Sequence, residues 1–298
     1  MPEATVLLYF EDEAPAALHL AAAAGLLPQP IQRHRFPDGE IQLTLPAHLP
    51  PRVVLLRGLH QPSDKLTELL LAVPTARQMG AQHLSLVAPY LAYMRQDMAF
   101  APGQAVSQRI VGAWLATLFD AVITVDPHLH RVATLAEAVP AHQAITLSAA
   151  PLLGAWIAQH RPGAFLLGPD SESAQWVTQA AAAHGFEHAV CTKVRHGDRA
   201  VDVTLPPCDL RGKAVVLLDD VTSSGHTLAT AATLALAAGA ASVDVAVTHA
   251  LLAEDALQRI HQAGAGQFWS TDSIAHASNV VPLAPLLAQA LKACAGSD

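Results

Sequence analysis

The stretch VVLLDDVTSSGHT, residues 215–227, changes from apolar to charged in a single step. Its four leading apolar residues are typical of a strand buried on both faces, as in a parallel sheet. The alanine-rich run at 228–238 predicts a helix, which ends at Gly239. The polar residues 219–227 are therefore expected between the carboxyl end of a strand and the amino end of a helix.

This junction is where open α/β sheets bind their ligands. The free amide donors of a helix amino end favour an anion, often a phosphate. The alternative is a turn rich in Asp, Ser and Thr that merely caps the helix. A cap needs one such residue, whereas this segment offers Asp219 and Asp220 together with several hydroxyls. We therefore interpret it as a binding segment.

The composition limits the classes of partner. At 298 residues the chain is long enough for two α/β domains with a core each. The hydrophobic content of 52% is largely alanine, no uninterrupted span reaches membrane length, and the acidic amino terminus does not resemble a secretory signal. The net charge of -8 disfavours non-specific nucleic-acid binding. We expect a small-molecule partner, with no nucleic acid and no membrane.

The cysteines and histidines carry less information. The three cysteines lie far apart without metal-ligand spacing, and an odd, small number favours a reducing cytoplasm. Most of the 16 histidines stand singly, and each alone is more often a surface or packed residue than a ligand. We expect a cytoplasmic protein.

Short apolar runs alternate with longer helical segments along the chain. The predicted strands are residues 6–9, 52–56, 83–88, 121–125, 164–167, 215–218 and 242–247. The predicted helices include residues 65–79, 107–119, 149–160, 173–184 and 253–263. This alternation predicts an α/β fold with a mostly parallel sheet flanked by helices.

The pattern occurs twice, so we predict two similar domains, residues 1–145 and 146–298. Proline-rich sequence near residue 140 and at Pro151 is compatible with a boundary there. The tail at 282–292 has the pattern of an amphipathic helix, which can pack back on the first domain.

Two polar motifs lie in the first half. FPDGE, residues 36–40, predicts a turn because of its Pro-Asp-Gly core. RQD, residues 95–97, offers a forked cation, an amide and a carboxylate, a set that suits a purine and its phosphates. The alternative for RQD is a solvated charge cluster.

Two further motifs follow predicted strands. DPHLH, residues 126–130, offers a carboxylate and two imidazoles for a metal or a metal-bound phosphate, although Asp-Pro often only starts a turn. In GPD, residues 168–170, Asp170 could share an oxygen-loving ion such as Mg²⁺. Ser171 and Glu172, which come next, could do no more than cap a helix.

A basic patch stands out in this acidic chain. Strand alternation puts Lys193 and Arg195 on the same side of an extended segment. One interpretation is an ordinary exposed hairpin. The other is an arm that delivers two cations onto phosphates, as phosphoryl transfer requires.

The ordered set FPDGE, RQD, DPHLH, GPD, KVR and DDVTSSGHT resembles that of the ribose-phosphate pyrophosphokinases, or PRPP synthetases, from about residue 31 to the tail. The last motif alone resembles the wider type I phosphoribosyltransferases. FPDGE and RQD narrow the resemblance to the PRPP synthetases. The resemblance implies two phosphoribosyltransferase-like domains and a ribose-phosphate diphosphokinase for nucleotide biosynthesis. Such an enzyme uses ATP and ribose 5-phosphate to give PRPP and AMP, with Mg²⁺ required.

The resemblance also implies site residues and a homo-oligomer whose ATP site is shared between subunits. Lys193 and Arg195 match the catalytic pair. The residues for ATP would be Phe36, Asp38, Gly39 and Glu40, of which the last three approach from a neighbouring subunit, together with Arg95, Gln96 and Asp97. Asp219 and Asp220 would face the ribose hydroxyls, and the 5-phosphate would be held by Ser223, Ser224, Gly225, His226 and Thr227. The metal ligands would be His128 and Asp170, with Asp126 in support.

Two other functions remain open from sequence. A phosphoribosyltransferase that consumes PRPP would share the DDVTSSGHT segment but would not need FPDGE and RQD. A non-catalytic regulatory subunit would keep the fold, and loss of Lys193 or Asp170 would have favoured it. Neither residue is lost.

Overall fold

The computed structural model describes residues 5–196 and 200–295, with side chains described outside 193–202 and 295. The chain divides into two compact units. One contains the described residues up to Leu147 and from Leu283 onward, and the other spans Ser148–Pro282. Among the described residues, every helix is too short or too polar to cross a membrane.

The first unit is built on a sheet with helices around it. Its strands are β1 (Val6–Phe10), β2 (Leu27–Arg35), β3 (Ile41–Thr44), β4 (Arg52–Leu56), β5 (His83–Ala88), β6 (Ala121–Val125) and β7 (Gln143–Leu147). Its helices up to β7 are α1 (Ala14–Ala24), α2 (Pro62–Gln78), α3 (Ser107–Leu118) and α4 (Leu135–Ala138). The described strands form one sheet in the order β3-β2-β1-β4-β5-β6-β7, in which β2 and β3 are antiparallel and the other neighbours parallel.

The central strands of this sheet form because their sequences are almost wholly apolar. β4, β5 and β6 are buried along nearly their whole length, as expected for strands covered on both faces. Beside them, α1 ends at Gly25, whose φ of 73° is a conformation that glycine adopts without strain. The resulting core places the polar residues that follow β5 and β6 at one edge of the sheet.

The second unit repeats this plan. Its elements are α5 (Ala150–His160), β8 (Phe165–Gly168), α6 (Ala174–Ala182), β9 (His188–Val190), β10 (Thr192–His196), β11 (Ala200–Thr204), β12 (Ala214–Thr222), α7 (His226–Ala237), β13 (Ser242–Ala250), α8 (Ala256–Gln262), β14 (Ala265–Thr271) and β15 (Asn279–Val281). The sheet has the order β15-β14-β13-β12-β8-β9 with parallel neighbours. β10 and β11 form a separate antiparallel hairpin. The predicted α/β class with mostly parallel sheets is confirmed.

The last helix, α9 (Ala284–Ala295), belongs to the first unit. It packs on α1 and against β6 and β7, and Lys292 Nζ donates to the carbonyl oxygen of Ala23 at 3.3 Å. The division between units falls after Leu147, two residues beyond the predicted boundary at 145, because β7 completes the first sheet. The first unit is therefore discontinuous in sequence.

One difference from the predicted elements bears on the carboxylates of β12. The apolar run predicts an end at Leu218, whereas the strand continues to Thr222 because its backbone pairs with β13 as far as Thr222 opposite Ala250. Asp219 and Asp220 therefore lie within the strand and not after it. Several strands were not predicted, among them β2, β3, β7 and β14, because their sequences are short or half polar.

Candidate active site

The residues after β12 form a segment that we call the hydroxyl loop, residues 223–227, whose last two residues begin α7. The N-cap of α7 is Gly225, with φ of 73°, so the capping position is held by a residue without a side chain. None of the Asp, Ser or Thr residues of this segment therefore occupies the N-cap position, which the capping alternative requires. No side chain at the cap therefore competes with a ligand for the amide donors of the first helical turn.

The hydroxyl loop rests on α8. A side chain at Gly225 would place its Cβ 3.0 Å from the carbonyl oxygen of Ala256 and 3.2 Å from Ile260, so the backbone approaches this helix closely. Arg259 Nη1 donates to the carbonyl oxygen of Ser224, and Nη2 of the same guanidinium pairs with Asp255. Sequence reasoning missed Arg259, because an arginine within a predicted helix is most often a solvated residue.

Two carboxylates at the end of β12 lie next to this loop. Asp219 is partly buried and Asp220 is only 1% exposed. Asp219 Oδ1 accepts from the amide of Asp220 at 3.1 Å, and Asp220 Oδ1 accepts from the amide of Val221 at 2.8 Å. Burial, followed by the carboxylates of Asp220 and Asp170, raises the pKa of Asp219 well above its usual range. The site therefore concentrates negative charge that a cation or hydroxyl donors can relieve.

Asp170 lies at the end of the neighbouring strand, β8. It is 8% exposed, and its Oδ1 accepts from the amide of Glu172 at 3.1 Å, which begins a short 3-10 helix at Ser171–Ser173. The cap is therefore Asp170, while Ser171 and Glu172 form the first turn. Gly168 leaves the space for this turn, because a Cβ there would lie 2.2 Å from Ser173 Oγ.

The basic segment forms β10 of the hairpin. Lys193 lies opposite Val203 and Arg195 opposite Val201 in the ladder with β11. The backbone is thus extended, as the sequence predicts, and the two basic residues are two positions apart on one strand. Their side chains lie outside the described residues, so their catalytic role stays a prediction.

In the first unit, the FPDGE motif forms the turn between β2 and β3, as predicted. The amide of Gly39 donates to the carbonyl oxygen of Phe36 at 3.0 Å, and Phe36 in turn donates to Glu40 at 2.8 Å. Gly39 has φ of 94°, which favours glycine at this position. Phe36, Asp38 and Glu40 are exposed, and the Phe36 ring meets the ring of His34 edge to face with centroids 4.7 Å apart.

The RQD residues divide between two environments. Arg95 and Gln96 are exposed, and Gln96 Oε1 accepts from Ser107 Oγ at 3.2 Å. Asp97 is 7% exposed, and its Oδ1 accepts from Arg131 Nη1 at 2.6 Å. Asp97 is therefore buried and paired, and is not part of a solvated charge cluster. Arg131, which sequence reasoning missed, directly follows DPHLH, so this ion pair joins the two motifs.

The DPHLH segment follows β6 at once. Asp126 is 3% exposed, its amide donates to the carbonyl oxygen of Leu147 at 2.8 Å, and its φ of 38° is a strained value for a residue with a Cβ. Such strain is found most often at functional sites. The rings of His128 and His130 meet edge to face with centroids 3.9 Å apart. This segment thus brings two imidazoles together, two and four residues after a buried carboxylate.

Each unit brings part of the predicted set together. In the second unit, the ends of adjacent strands β8 and β12 carry Asp170, Asp219 and Asp220, which interact electrostatically, beside the hydroxyl loop. In the first unit, RQD and DPHLH follow the adjacent strands β5 and β6. The FPDGE turn lies on the hairpin at the sheet edge formed by β3 and β2.

Comparisons with known proteins agree with the ordered motifs. Residues 5–118 match the family described as the N-terminal domain of ribose phosphate pyrophosphokinase, and residues 139–265 match the phosphoribosyl transferase domain. The ribose-phosphate pyrophosphokinase of Methanopyrus kandleri is 34% identical over 271 residues, which cover 90% of this chain and 91% of that protein. That of Halobacterium salinarum is 35% identical over 280 residues, or 92% of this chain and 96% of that protein.

One solved structure shares the fold over the whole length. The crystal structure of phosphoribosylpyrophosphate synthetase from Mycobacterium smegmatis matches with a TM-score of 0.84 at 23% identity, covering 99% of this chain and 100% of that one. The resemblance inferred from the motifs is therefore confirmed. On the identity and coverage of its relatives, this chain belongs to the ribose-phosphate pyrophosphokinase family.

Proposed function

We propose that this chain is a ribose-phosphate diphosphokinase, which transfers the diphosphoryl group of ATP to the 1-hydroxyl of ribose 5-phosphate. The observation that carries the proposal is the cluster of Asp170, Asp219 and Asp220 next to the hydroxyl loop. Carboxylates suit ribose hydroxyls and a cation, and amides at a helix amino end suit a phosphate. Ribose 5-phosphate carries both kinds of group on one molecule.

Within the second unit, we assign the ribose hydroxyls to Asp219 and Asp220. We assign the 5-phosphate to the hydroxyl loop, whose members are Ser223, Ser224, Gly225, His226 and Thr227. The guanidinium of Arg259 supports this assignment, because it holds the loop backbone from the side of α8. Two opposite environments, one acidic and one amide-rich, thereby orient the sugar.

We assign ATP to the exposed residues of the first unit, with Arg95 and Gln96 holding adenine and phosphates. Asp97 contributes indirectly, because its carboxylate is occupied by Arg131. The FPDGE turn (Phe36, Asp38, Gly39, Glu40) would reach the ATP of a neighbouring subunit, so the active protein would be a homo-oligomer. We also place the enzyme in the cytoplasm, because a reducing environment is compatible with its free cysteines.

The reaction needs positioning and charge stabilisation more than covalent chemistry. The 1-hydroxyl oxygen forms a bond to the β-phosphorus of ATP and releases its proton to the solvent. The bond between this phosphorus and the oxygen bridging to the α-phosphate breaks, and AMP leaves. Lys193 and Arg195 on β10 would stabilise the negative charge that develops during the transfer.

Mg²⁺ fits the chemistry of the residues present. Asp170, Asp219 and Asp220 together offer several carboxylate oxygens, which are the ligands that Mg²⁺ prefers. Burial, followed by the charges of Asp220 and Asp170, raises the pKa of Asp219, and a bound cation would relieve the part that comes from charge. We propose Asp170 in the second unit, and His128 supported by Asp126 in the first unit, as metal-binding residues. When bound, the metal would neutralise phosphate charge.

The test is an assay for AMP. The full chain is incubated with ATP and ribose 5-phosphate, with Mg²⁺ or with a chelator, and AMP and PRPP are quantified by chromatography. We expect both products in equal amounts and only with the divalent ion. A parallel incubation with PRPP and free nucleobases tests the phosphoribosyltransferase alternative. Absence of AMP above the no-enzyme level, at any Mg²⁺ and phosphate concentration tried, would falsify the proposed function.

A further inference from the structure

The hairpin that carries the FPDGE turn extends beyond the edge of the main sheet. β1 pairs with β2 only as far as Phe10 opposite Ile31. β2 pairs with β3 from Gln32 to Arg35, so residues 32–44 form a two-stranded extension. Isolated two-stranded hairpins are marginally stable in water. The direction of this hairpin therefore depends on what ties it to the rest of the unit.

Two arginines of β2 tie the hairpin to α2. Arg33 Nη1 donates to the carboxylate of Glu68, and Arg35 Nη2 donates to Asp64 Oδ2 at 2.6 Å. Asp64 and Glu68 lie one turn apart on the helix. The two arginines lie two residues apart on the strand, so their side chains share one face of the hairpin, which is fastened to α2 at two successive points.

The inner tie is much more buried than the outer one. The side chain of Glu68 is 0% exposed and that of Arg33 32%, whereas the Arg35 and Asp64 side chains are 48% and 68% exposed. An exposed ion pair contributes little. A buried carboxylate must keep its cations, because losing one leaves uncompensated charge in the interior. We therefore expect the Arg33–Glu68 pair to set the hairpin direction.

Glu68 is itself held in place from the opposite side. Its Oε2 lies 2.5 Å from Arg57 Nη2, and Arg57 is 1% exposed. Arg57 also pairs with Asp12 at 2.7 Å and with Glu13 at 3.0 Å. Through these contacts the residues after β1 and β4 brace the carboxylate that receives Arg33. Glu68, which anchors the hairpin through Arg33, is thus itself held by residues that follow the central strands β1 and β4.

We propose that Arg33 and Glu68 are positioning residues that aim the FPDGE turn at ATP. This inference rests on the proposed function, which assigns the turn to the nucleotide. Arg33 lies three residues before Phe36, and the turn itself contributes short local hydrogen bonds. A small rotation of the hairpin at Arg33 therefore displaces the exposed tip, and a displacement of about 1 Å can cost up to about 10²-fold in rate.

The first test compares substrate dependence in variants of the full chain. Arg33→Met removes the tie but leaves Glu68 paired with Arg57, so the unit keeps its fold. We expect the KM for ATP to rise about fivefold or more, with the KM for ribose 5-phosphate nearly unchanged. Arg33→Lys, which keeps the charge, should recover part of the loss. Equal changes in both KM values, or no change in either, overturn the inference.

Arg77→Met is the matched control. Arg77 also lies in the first unit, its side chain is 34% exposed, and it makes a 2.7 Å ion pair with Asp120. That pair lies at the amino end of β5, whereas the site motifs follow the carboxyl ends of the strands. Arg77→Met should lower Tm through the loss of this ion pair while leaving the KM for ATP unchanged. A rise in the KM for ATP equal to that of Arg33→Met would assign the effect to general loss of stability and reject the inference.

A second measurement separates this inference from the proposed function. Hydrogen exchange at residues 36–44 should accelerate in Arg33→Met and not in Arg77→Met, whether or not the protein makes AMP. Unchanged exchange there overturns the anchoring role even if the enzyme is active. Faster exchange without any change in the KM for ATP overturns the link to the nucleotide. If the wild-type chain makes no AMP, the proposed function is rejected and the role of the hairpin in ATP binding with it. Faster exchange in Arg33→Met would still support the anchoring role of the Arg33–Glu68 pair.

Discussion

Arg259 holds the hydroxyl loop by donating from Nη1 to the carbonyl oxygen of Ser224, while Nη2 of the same side chain pairs with Asp255. The bidentate use of one guanidinium fixes its plane. Because Gly225 also lies against α8, this helix shapes the loop both by contact and by hydrogen bonding. A helix outside the recognised motifs thereby helps to build the proposed phosphate site.

We expect Arg259→Met to raise the KM for ribose 5-phosphate about tenfold or more, because a charged donor contributes roughly 1.5–3 kcal/mol. The KM for ATP should stay close to that of the wild type. Initial rates with one substrate varied at a time provide the measurement. Asp255→Asn is the control, since it leaves the Ser224 contact in place and should have the smaller effect. A larger rise for ATP than for the sugar phosphate would mean that the loop serves the nucleotide.

Asp219→Asn should make the ligand-free protein more stable and less active. Burial and the charges of Asp220 and Asp170 disfavour the Asp219 carboxylate, and the amide removes that cost. Thermal unfolding at neutral pH with a chelator should show a Tm higher by about 2 °C or more. Mg²⁺ should stabilise the wild type more than the variant. Asp209→Asn, at an exposed carboxylate of the same unit, provides the comparison, and equal Tm values for wild type and Asp219→Asn would contradict this account.

Lys193→Ala should lower kcat by ~10²-fold or more, with smaller changes in either KM. A cation that acts on charge developing during the transfer stabilises the transition state more than the bound substrates. Steady-state kinetics with both substrates test this. Arg211→Ala removes a basic side chain that is 81% exposed and paired with Asp209, so it should leave kcat unchanged. An unaltered kcat in Lys193→Ala would assign that residue to the solvated surface.

Mixing two inactive variants tests whether the site is shared between chains. Glu40→Ala and Lys193→Ala should each have low activity alone. If Glu40 reaches a neighbour's ATP, mixed oligomers contain some sites with both residues intact and recover part of the activity. Native mass spectrometry verifies that the mixed oligomers form. Verified mixing without recovery argues that each chain builds its own site.

The first unit should lose stability in acid through His60. Burial, followed by the positive charges of Lys65 and Arg57, lowers the pKa of His60 from 6.5 to about 4. As the pH falls below 6.5, the unfolded chain binds a proton that the folded chain takes up only near 4, so the free energy of unfolding falls across this window.

Thermal unfolding from pH 7 to pH 4 follows this loss, using His60→Gln and the same change at the exposed His48 as its control. The Tm of the wild type should fall more steeply with acid than that of His60→Gln, while His48→Gln should follow the wild type. Parallel curves for all three proteins would show that His60 does not carry the effect.

Sequence patterns were most informative where one physical requirement dominates. β4, β5 and β6 match their predicted bounds because a strand covered on both faces must be apolar throughout. The FPDGE turn follows from the backbone freedom of Gly39. By contrast, β2 contains two prolines and several polar residues, and it forms because β1 and β3 supply partners.

The missed site features depend on tertiary placement. Arg259 gains its meaning from the turn of α8 that meets the hydroxyl loop, and Arg33 from a carboxylate 35 residues away. The burial of Asp97 depends on Arg131, which comes from another loop. No local pattern records such distances. The motifs therefore predicted which segments matter, while the supporting contacts required coordinates.

The return of α9 to the first unit sets an order of assembly during translation. Leu287 and Leu291 are buried in α9, and Leu20 is buried in α1, the helix on which α9 packs. This face of α1 lacks its cover until the ribosome has made the last residues of the helix. Because Ser148–Pro282 is synthesised before α9, the first unit cannot complete its core until the whole second unit has been made, and until then this face of α1 stays accessible to chaperones.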